Sequence, residues 1–163
     1  LSLFSDFDRY QEVKKCWRKE KKEWVLKDIP FTEKWGSEEY KYLVKCLKKT
    51  IETGGTVIGA FKNKILVGFA SLENQIFGKK KEYLQLSSIH ISNGNRGKGI
   101  GRKLFTLICE RAKEKGAKKL YISAHSSQET QAYYKAMGCI EAREYNKSLA
   151  AKEPYDCQLE YIL

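Results

Sequence analysis

The chain has 163 residues, of which 31 are Lys or Arg and 20 are Asp or Glu, giving a formal net charge of +11. A hydrophobic content of 42% excludes a disordered tail, and no apolar run approaches the ~18 residues that a membrane helix needs. This length predicts one domain over residues 1–163. The N-terminus lacks the basic start of a secretory signal, and the five cysteines form no Cys-x-x-Cys pair. We therefore expect a cytoplasmic protein without a membrane partner, disulfide framework or metal site.

The sequence pattern of the first third of the chain predicts two helices separated by a loop. Residues Asp8 to about Lys22 are rich in Lys, Glu and Gln, and we interpret them as a polar helix. The stretch from Trp24 to Trp35 contains Pro30 and predicts an ordered loop. A second helix is predicted to begin near Ser37, its expected N-cap, and to end at Gly54-Gly55.

From Thr56 onwards the pattern changes to strands that alternate with helices. A hairpin is predicted across Thr56–Leu72 with its turn at Asn63-Lys64, and a further strand over Tyr83–Ser92. The remaining predicted elements are an amphipathic helix from about Gly99 to Gly116, a buried strand at Leu120–Ile122, a helix from Ser127 or Gln128 to Gly138, and strands at about Ile140–Tyr145 and Tyr155–Tyr161. This order predicts a mixed α/β sheet covered by helices.

The segment from Ser87 to Phe105 links a strand to a helix through a glycine-rich loop. Such a loop presents free backbone N–H groups and the positive end of a helix dipole, which favour a phosphate. A Walker loop would need Ser or Thr after Gly97-Lys98, where this chain has Gly99. The dinucleotide fingerprint fails because its third glycine is missing in either register. The pattern that fits is Arg96-x-x-Gly99-x-Gly101.

This pattern resembles the acetyl-CoA signature R/Q-x-x-G-x-G/A of the GNAT superfamily of N-acetyltransferases, with its preceding strand and following helix. A second segment, Ser123–Tyr145, is similar to the later motif of that family, because Tyr134 stands at the family's tyrosine position and Gly138 follows four residues later. The resemblance covers about Thr56–Leu163. It implies an α/β (α+β mixed) GNAT fold: a central mixed, mostly antiparallel twisted sheet of six or seven strands with a splay, flanked by four helices.

The resemblance implies an N-acetyltransferase that moves an acetyl group from acetyl-CoA to a primary amine of a small molecule or a protein. Because the sequence has no metal-ligand spacing and no cysteine with a local His partner, we expect direct transfer in a ternary complex without a metal. The resemblance implies that Tyr134 lies near the sulfur as general acid. Family members often have a Glu as general base where this chain has Gln85. The base is therefore left open among Glu82, His90, Glu73 and water. The residues implied to bind the cofactor are Ile89, Ile91, Arg96, Gly97, Lys98, Gly99, Ile100, Gly101, Ser127 and Tyr134.

Two other functions are alternatives at this stage. Gln85 in place of Glu suggests a catalytically silent acyl-CoA-binding domain, and the charge of +11 suggests a basic nucleic-acid-binding module. The lysines are spread along the whole chain without a recognition motif, so no nucleic-acid partner is expected. The positive charge also argues against a polycationic acceptor unless acids such as Glu38 and Glu39 line the site. Family members commonly form dimers, which makes a homodimer a candidate assembly.

Overall fold

The computed structural model describes all 163 residues, which form eight strands and four α-helices after a 3₁₀ turn at Ser2–Phe4. The strands are β1 (Gln11–Glu20), β2 (Glu23–Glu33), β3 (Thr56–Lys62), β4 (Ile65–Leu72), β5 (Tyr83–Ile91), β6 (Lys119–Ala124), β7 (Ile140–Glu141) and β8 (Cys157–Ile162). The helices are α1 (Ser37–Glu52), α2 (Ile100–Glu114), α3 (Gln128–Met137) and α4 (Lys147–Lys152). None of the helices is both long and apolar enough to cross a membrane.

Six strands form the main sheet in the order β3-β4-β5-β6-β8-β7, and β1 pairs with β2 in a separate ribbon. Neighbouring strands are antiparallel except for β5 and β6, which are parallel. This mixed, mostly antiparallel sheet with four helices confirms the predicted fold class.

The two faces of the sheet are covered by different helices, because side chains alternate between faces along each strand. On β4, Ala70 belongs to the large cluster that contains Leu104 and Ile108 of α2. Its neighbour Phe69 belongs instead to the smaller cluster that contains Leu43 of α1. Helices α1 and α2 therefore lie on opposite sides of β4.

Several local predictions are confirmed because short-range chemistry specifies them. Asn63 and Lys64 both have positive φ, at 51° and 66°, as a two-residue hairpin turn requires. Ser127 caps α3, since its hydroxyl accepts a hydrogen bond from the Thr130 N–H at 3.2 Å. Gly138 ends this helix with a φ of 102°.

The helix predicted over Asp8–Lys22 and the loop predicted over Trp24–Trp35 are wrong, because both segments are strands of one hairpin. The buried residues of β1, Val13 and Cys16, are three apart, a spacing that also suits a helix. The ladder slips by one residue between Val13 and Lys15, which breaks the strict alternation of a strand. Pro30 lies opposite this slip on a strand with only one neighbour, where a missing N–H is tolerated.

Two further boundaries differ from the predictions. The N-cap of α1 is Gly36, whose N–H donates to the Glu39 carboxylate, so Ser37 is the first helical residue. Only Ile140–Glu141 of the strand predicted to reach Tyr145 pairs in the sheet. The chain then forms α4, because the Asn146 side chain accepts a hydrogen bond from the Leu149 N–H and caps a new helix.

Candidate functional site

The central feature of the sheet is a splay between its two parallel strands. The ladder between β5 and β6 covers only Tyr83–Gln85 and Lys119–Tyr121. Beyond this point β5 still pairs with β4 as far as Ile91. The Ser92 N–H donates to the Val67 carbonyl of β4, so strand alternation directs the amides of Ile91 and Ile89 to the opposite edge. These amides therefore face the gap between β5 and β6.

The N-terminal ribbon spans the same gap. At one end of the ribbon, the Asn93 N–H that follows β5 donates to the Asp8 carbonyl at 2.7 Å. At the other, the Trp17 N–H donates to the Ser126 carbonyl that follows β6 at 2.8 Å. The segment that the sequence predicts as a polar helix is thus a strand across the splay.

The glycine loop that follows β5 leaves a row of backbone donors unused. None of the N–H groups from Arg96 to Arg102 donates to an acceptor in the protein, and the first bonded amide is that of Lys103. Gly97 and Gly99 have φ of 74° and 83°, and a Cβ atom at either would find no neighbour within 4 Å. These amides lie at the N-terminus of α2, so the helix dipole adds positive potential. The loop therefore presents free donors, open space and positive potential, a combination that suits an anion.

A cavity of about 730 Å³, here called the loop cavity, connects this loop to the splay. Of the residues predicted from the sequence, it brings together Ile89, His90, Ile91, Arg96, Gly97, Gly99, Gly101 and Tyr134. Lys98 of the loop and Ile100, the first residue of α2, do not line the cavity.

Two predicted residues lie elsewhere. The Ser127 hydroxyl is buried and serves as the cap of α3, so it does not line the cavity. Glu82 precedes β5, and its carboxylate lies 3.9 Å from the Lys119 ammonium, away from the splay. In this structure neither the Ser127 hydroxyl nor the Glu82 carboxylate lines the loop cavity.

The two adjacent tyrosines of α3 have different surroundings. Tyr133 donates its hydroxyl to the Gly101 carbonyl at 2.9 Å, which ties α3 to the glycine loop. The Tyr134 hydroxyl makes no hydrogen bond with the protein, although the residue is buried and lines the loop cavity. Burial, followed by the charges of Tyr133, Cys139 and Asp156, raises the Tyr134 pKa far above its usual value. Tyr134 therefore holds its proton at any working pH.

His90 lies on β5 between Trp35 and Phe69, with ring centroids at 5.0 and 5.4 Å. The Arg9 Nε–H donates to its Nδ1 at 3.0 Å, which assigns the remaining ring proton to Nε2. Burial and the charges of Arg9 and Arg96 lower the His90 pKa to about 3. At neutral pH His90 is consequently a neutral side chain that accepts protons poorly.

A second cavity of about 930 Å³ lies on the opposite face of the sheet, along α1, and is here called the α1 cavity. Four residues of the splayed strands line both cavities: Ser87, Ser88, His90 and Ser123. The two cavities therefore meet at the splay, one on each face of the sheet.

The wall of the α1 cavity is acidic in a basic protein. Its carboxylates are those of Glu38, Glu39, Glu73, Glu153 and Asp156, and its ammonium groups are those of Lys49 and Lys152. Five negative and two positive groups leave a formal charge of −3, against +11 for the whole chain. Cations are therefore favoured here over anions.

Sequence reasoning missed Ser88, Ser123 and Asp156. The two serines lie within the two segments that resemble the family, but neither stands at a position to which the resemblance assigns a role. Asp156 lies in a segment predicted as part of a strand. Only the pairing of β6 with β8 brings Ser123 and Asp156 together, with the hydroxyl donating to the carboxylate at 3.0 Å. No local pattern could have indicated this contact.

Comparison with known proteins supports the same fold. Among solved structures, a nourseothricin acetyltransferase shares 16% identity with a TM-score of 0.70, covering 99% of this chain and 91% of that one. A Bacillus anthracis structure described as a streptothricin acetyltransferase with acetyl coenzyme A shares 14% identity with a TM-score of 0.68, covering 96% and 88%. A ribosomal-protein-alanine N-acetyltransferase from Brucella melitensis shares 19% identity with a TM-score of 0.57, covering 76% and 78%.

Sequence comparison identifies the family. A search of the curated proteins found no match. The sequence model of the acetyltransferase (GNAT) family matches residues 13–139, which include the splay, the glycine loop and Tyr134. The chain belongs to the GNAT acetyltransferase family.

Proposed function

We propose that this protein transfers an acetyl group from acetyl-CoA directly to a primary amine while both substrates are bound. The observation that carries the proposal is the meeting of two cavities at Ser87, Ser88, His90 and Ser123. A thioester and an amine that enter from opposite faces of the sheet would meet there without a covalent enzyme intermediate. Residues 1–163 would act as one N-acetyltransferase domain, since the N-terminal ribbon and α1 contribute walls to the two cavities.

The loop cavity suits the donor substrate. A diphosphate would accept hydrogen bonds from the free amides between Arg96 and Gly101, and Gly97 and Gly99 leave space for its close approach. The pantetheine arm would then run along Ile91 and Ile89, whose amides face the gap. Lys98 and Ile100 would contribute their backbone N–H groups.

The loop cavity also offers the groups that acetyl transfer needs. A backbone N–H of Ile89 or Ile91 would donate to the thioester oxygen as negative charge develops on it. Tyr134 would give its hydroxyl proton to the departing sulfur, because the hydroxyl is protonated and free of other partners. His90 would provide a neutral wall between the cavities, since its pKa of about 3 keeps it uncharged.

The α1 cavity suits a cationic acceptor. Its formal charge of −3 would attract an ammonium group, and Glu38 and Glu39 line it as a cationic acceptor would require. We therefore propose a small-molecule amine with a positive charge as the acceptor. Because similar structures are named for nourseothricin and streptothricin acetylation, these two compounds belong in the first acceptor panel. A peptide with an N-terminal alanine tests the alternative that the acceptor is a protein amine.

Steady-state kinetics with release of free CoA thiol tests this proposal. Varying acetyl-CoA and the amine together should give intersecting double-reciprocal lines, because both substrates are bound before transfer. Parallel lines, or an acetylated enzyme detected by mass spectrometry, would contradict direct transfer.

Two results would favour the other functions. Micromolar CoA binding without thiol release across a broad amine panel would indicate an acyl-CoA-binding domain. Salt-dependent DNA binding without CoA binding would indicate a nucleic-acid module. The five free cysteines fit a reducing compartment, and we propose that the enzyme works in the cytoplasm.

A further inference from the structure

A directed chain of hydrogen bonds ends at Asp156 on the wall of the α1 cavity. The Asn146 N–H donates to the Tyr121 hydroxyl at 2.9 Å, and that hydroxyl donates to the Gln158 Oε1 at 2.6 Å. The Gln158 Nε2 then donates to the Ser123 Oγ at 3.0 Å. Since Ser123 Oγ accepts from Gln158, its own proton points to Asp156 Oδ2, 3.0 Å away. Every donor in the chain is oriented towards the carboxylate.

This chain fixes Asp156 at the point where the two cavities meet. Ser123 lines both cavities, and its hydrogen bond holds one carboxylate oxygen of Asp156 beside the splay. The other oxygen, Oδ1, makes no hydrogen bond or ion pair within the protein. An ammonium in the α1 cavity would therefore find an acceptor there that the fold has left unused.

The charge environment makes Asp156 a better base than an exposed aspartate. Burial raises its pKa, the Ser123 hydrogen bond lowers it, the charge of Glu153 raises it and that of His125 lowers it, with a net upward shift. The ammonium of Lys152 on α4 lines the same cavity. The charge of Asp156 contributes to the raised pKa of Tyr134 on α3, so the two side chains lie within electrostatic reach of each other across the splay.

We propose that Asp156 binds the ammonium of the acceptor and takes its proton, which generates the amine that attacks the thioester. This inference rests on the proposed acetyltransferase function and assigns the base that the sequence leaves open. In the reaction, the nitrogen lone pair forms the C–N bond while the C–S bond breaks and its electron pair goes to sulfur. Tyr134 gives its proton to sulfur and recovers one from the nitrogen. The proton on Asp156 passes to solvent, so each turnover releases N-acetylamine, CoA thiol and one proton.

The other candidates are less suited to this step. Both oxygens of Glu73 accept from the Thr50 hydroxyl, and one also accepts from Ser87 at 2.7 Å, so its carboxylate is occupied by the protein. His90 has its Nδ1 bonded to Arg9 and a pKa of about 3. Glu82 lines neither cavity. Asp156 alone among them combines a free oxygen with a contact to a residue shared by both cavities.

The test compares Asp156→Asn with Asp28→Asn, which removes an exposed carboxylate on β2 that lines neither cavity. Asn keeps the shape of Asp and can still accept from Ser123. We expect Asp156→Asn to lower kcat/KM for the amine by about 100-fold or more. The CoA affinity from calorimetry and the melting temperature should stay at the wild-type values. Asp28→Asn should keep wild-type kinetics.

The pH profile separates a proton acceptor from a structural residue. Wild-type kcat/KM should rise along an acid limb and level off above the pKa of Asp156. In Asp156→Asn this levelling should disappear, and kcat/KM should keep rising tenfold per pH unit, because hydroxide then replaces the carboxylate. Ser123→Ala should keep the limb and move it to higher pH, since it removes a hydrogen bond that lowers the Asp156 pKa. This second variant also tests the inference if Asp156→Asn folds poorly.

Two results would overturn the assignment. One is wild-type turnover in Asp156→Asn. The other is a pH profile whose levelling persists in Asp156→Asn and disappears in Glu73→Gln, because Glu73 would then be the titrating base. If wild-type protein releases no CoA thiol with any amine, the proposed function itself fails. A wild type that acetylates amines, and an Asp156→Asn variant that does so equally well, would refute only the role of Asp156.

Discussion

Substitution of Gly99 tests the proposed diphosphate site, and the same substitution of Gly116 at the other end of α2 is its matched control. Gly99 precedes α2 and Gly116 follows it, with φ of 83° and 88°. A Cβ at either position meets no atom within 4 Å. Gly99→Glu and Gly116→Glu therefore introduce the same strain and the same exposed carboxylate at opposite ends of one helix.

The backbone strain should be the same in both variants, but Gly116→Glu should be the less stable by about 0.6–2 kcal/mol, because its carboxylate lies at the negative end of the helix dipole and that of Gly99→Glu at the positive end. A residue with a Cβ in the left-handed region costs about 1–2 kcal/mol. For a chain of this size that corresponds to a melting temperature lowered by roughly 2–8 °C. Thermal unfolding should therefore show a lowered melting temperature for both variants, with that of Gly116→Glu below that of Gly99→Glu.

The cost in CoA binding should differ between them. A carboxylate at position 99 would lie about 5 Å from the diphosphate, where each pair of like charges costs roughly 1–3 kcal/mol at effective dielectric constants between water and a protein surface. Two phosphate charges give about 2–6 kcal/mol, or at least about 30-fold weaker binding. Gly116→Glu should bind CoA like the wild type. Equal CoA affinities of the two variants in calorimetry would refute the placement of the diphosphate.

Three further predictions concern Tyr134, His90 and a buried ion pair. Tyr134→Phe should lower kcat by about 100-fold with unchanged CoA affinity, because the departing sulfur loses its proton donor; an unchanged kcat for thiol release would exclude that role. The His90 pKa is about 3 in the folded chain and about 6.5 when unfolded, so below pH 6.5 the unfolded chain takes up a proton that the native state does not. The free energy of unfolding should then fall as pH is lowered from about 6.5 towards 3, by at most ~1.4 kcal/mol per pH unit, and urea titrations of His90→Gln should show a shallower fall. Lys119→Met should cost about 3–5 kcal/mol in urea unfolding, because it leaves the fully buried Glu160 carboxylate, 3.3 Å from the Lys119 ammonium, without its cation. Adding Glu160→Gln should recover part of that loss, and no recovery would show that the pair is uncoupled.

Prediction from sequence succeeded where neighbouring residues specify the structure. Asn63-Lys64 forms a two-residue turn. Ser127 caps the N-terminus of α3, and Gly138 ends α3 through a positive φ. The glycine loop could likewise be read from Arg96-x-x-Gly99-x-Gly101, because its free amides follow from a strand that runs straight into a helix. Each of these features depends on contacts within a few residues.

Prediction failed where distant contacts override the local pattern. The spacing of Val13 and Cys16 fits a helix, yet pairing with β2 and hydrogen bonds to Asn93 and Ser126 hold the segment as a strand. On β2, Trp24 and Leu26 alternate with exposed residues before the slip and Ile29 and Phe31 do so after it, and these two short runs were the local signal for a strand there. Where the ladder slips by one residue, the alternation of buried and exposed residues changes phase, so a short stretch of sequence does not show it.

The sequence by itself determined the elements from β3 to α3 and the free amides of the glycine loop, because turns, caps and unpaired helix N-termini are properties of short segments. Only the tertiary structure brought together the side chains that we propose to handle the proton of the acceptor. Ser123 and Asp156 are 33 residues apart and Arg9 and His90 are 81 apart. Such pairs exist only once the sheet has formed, since strand order and the splay bring their side chains together.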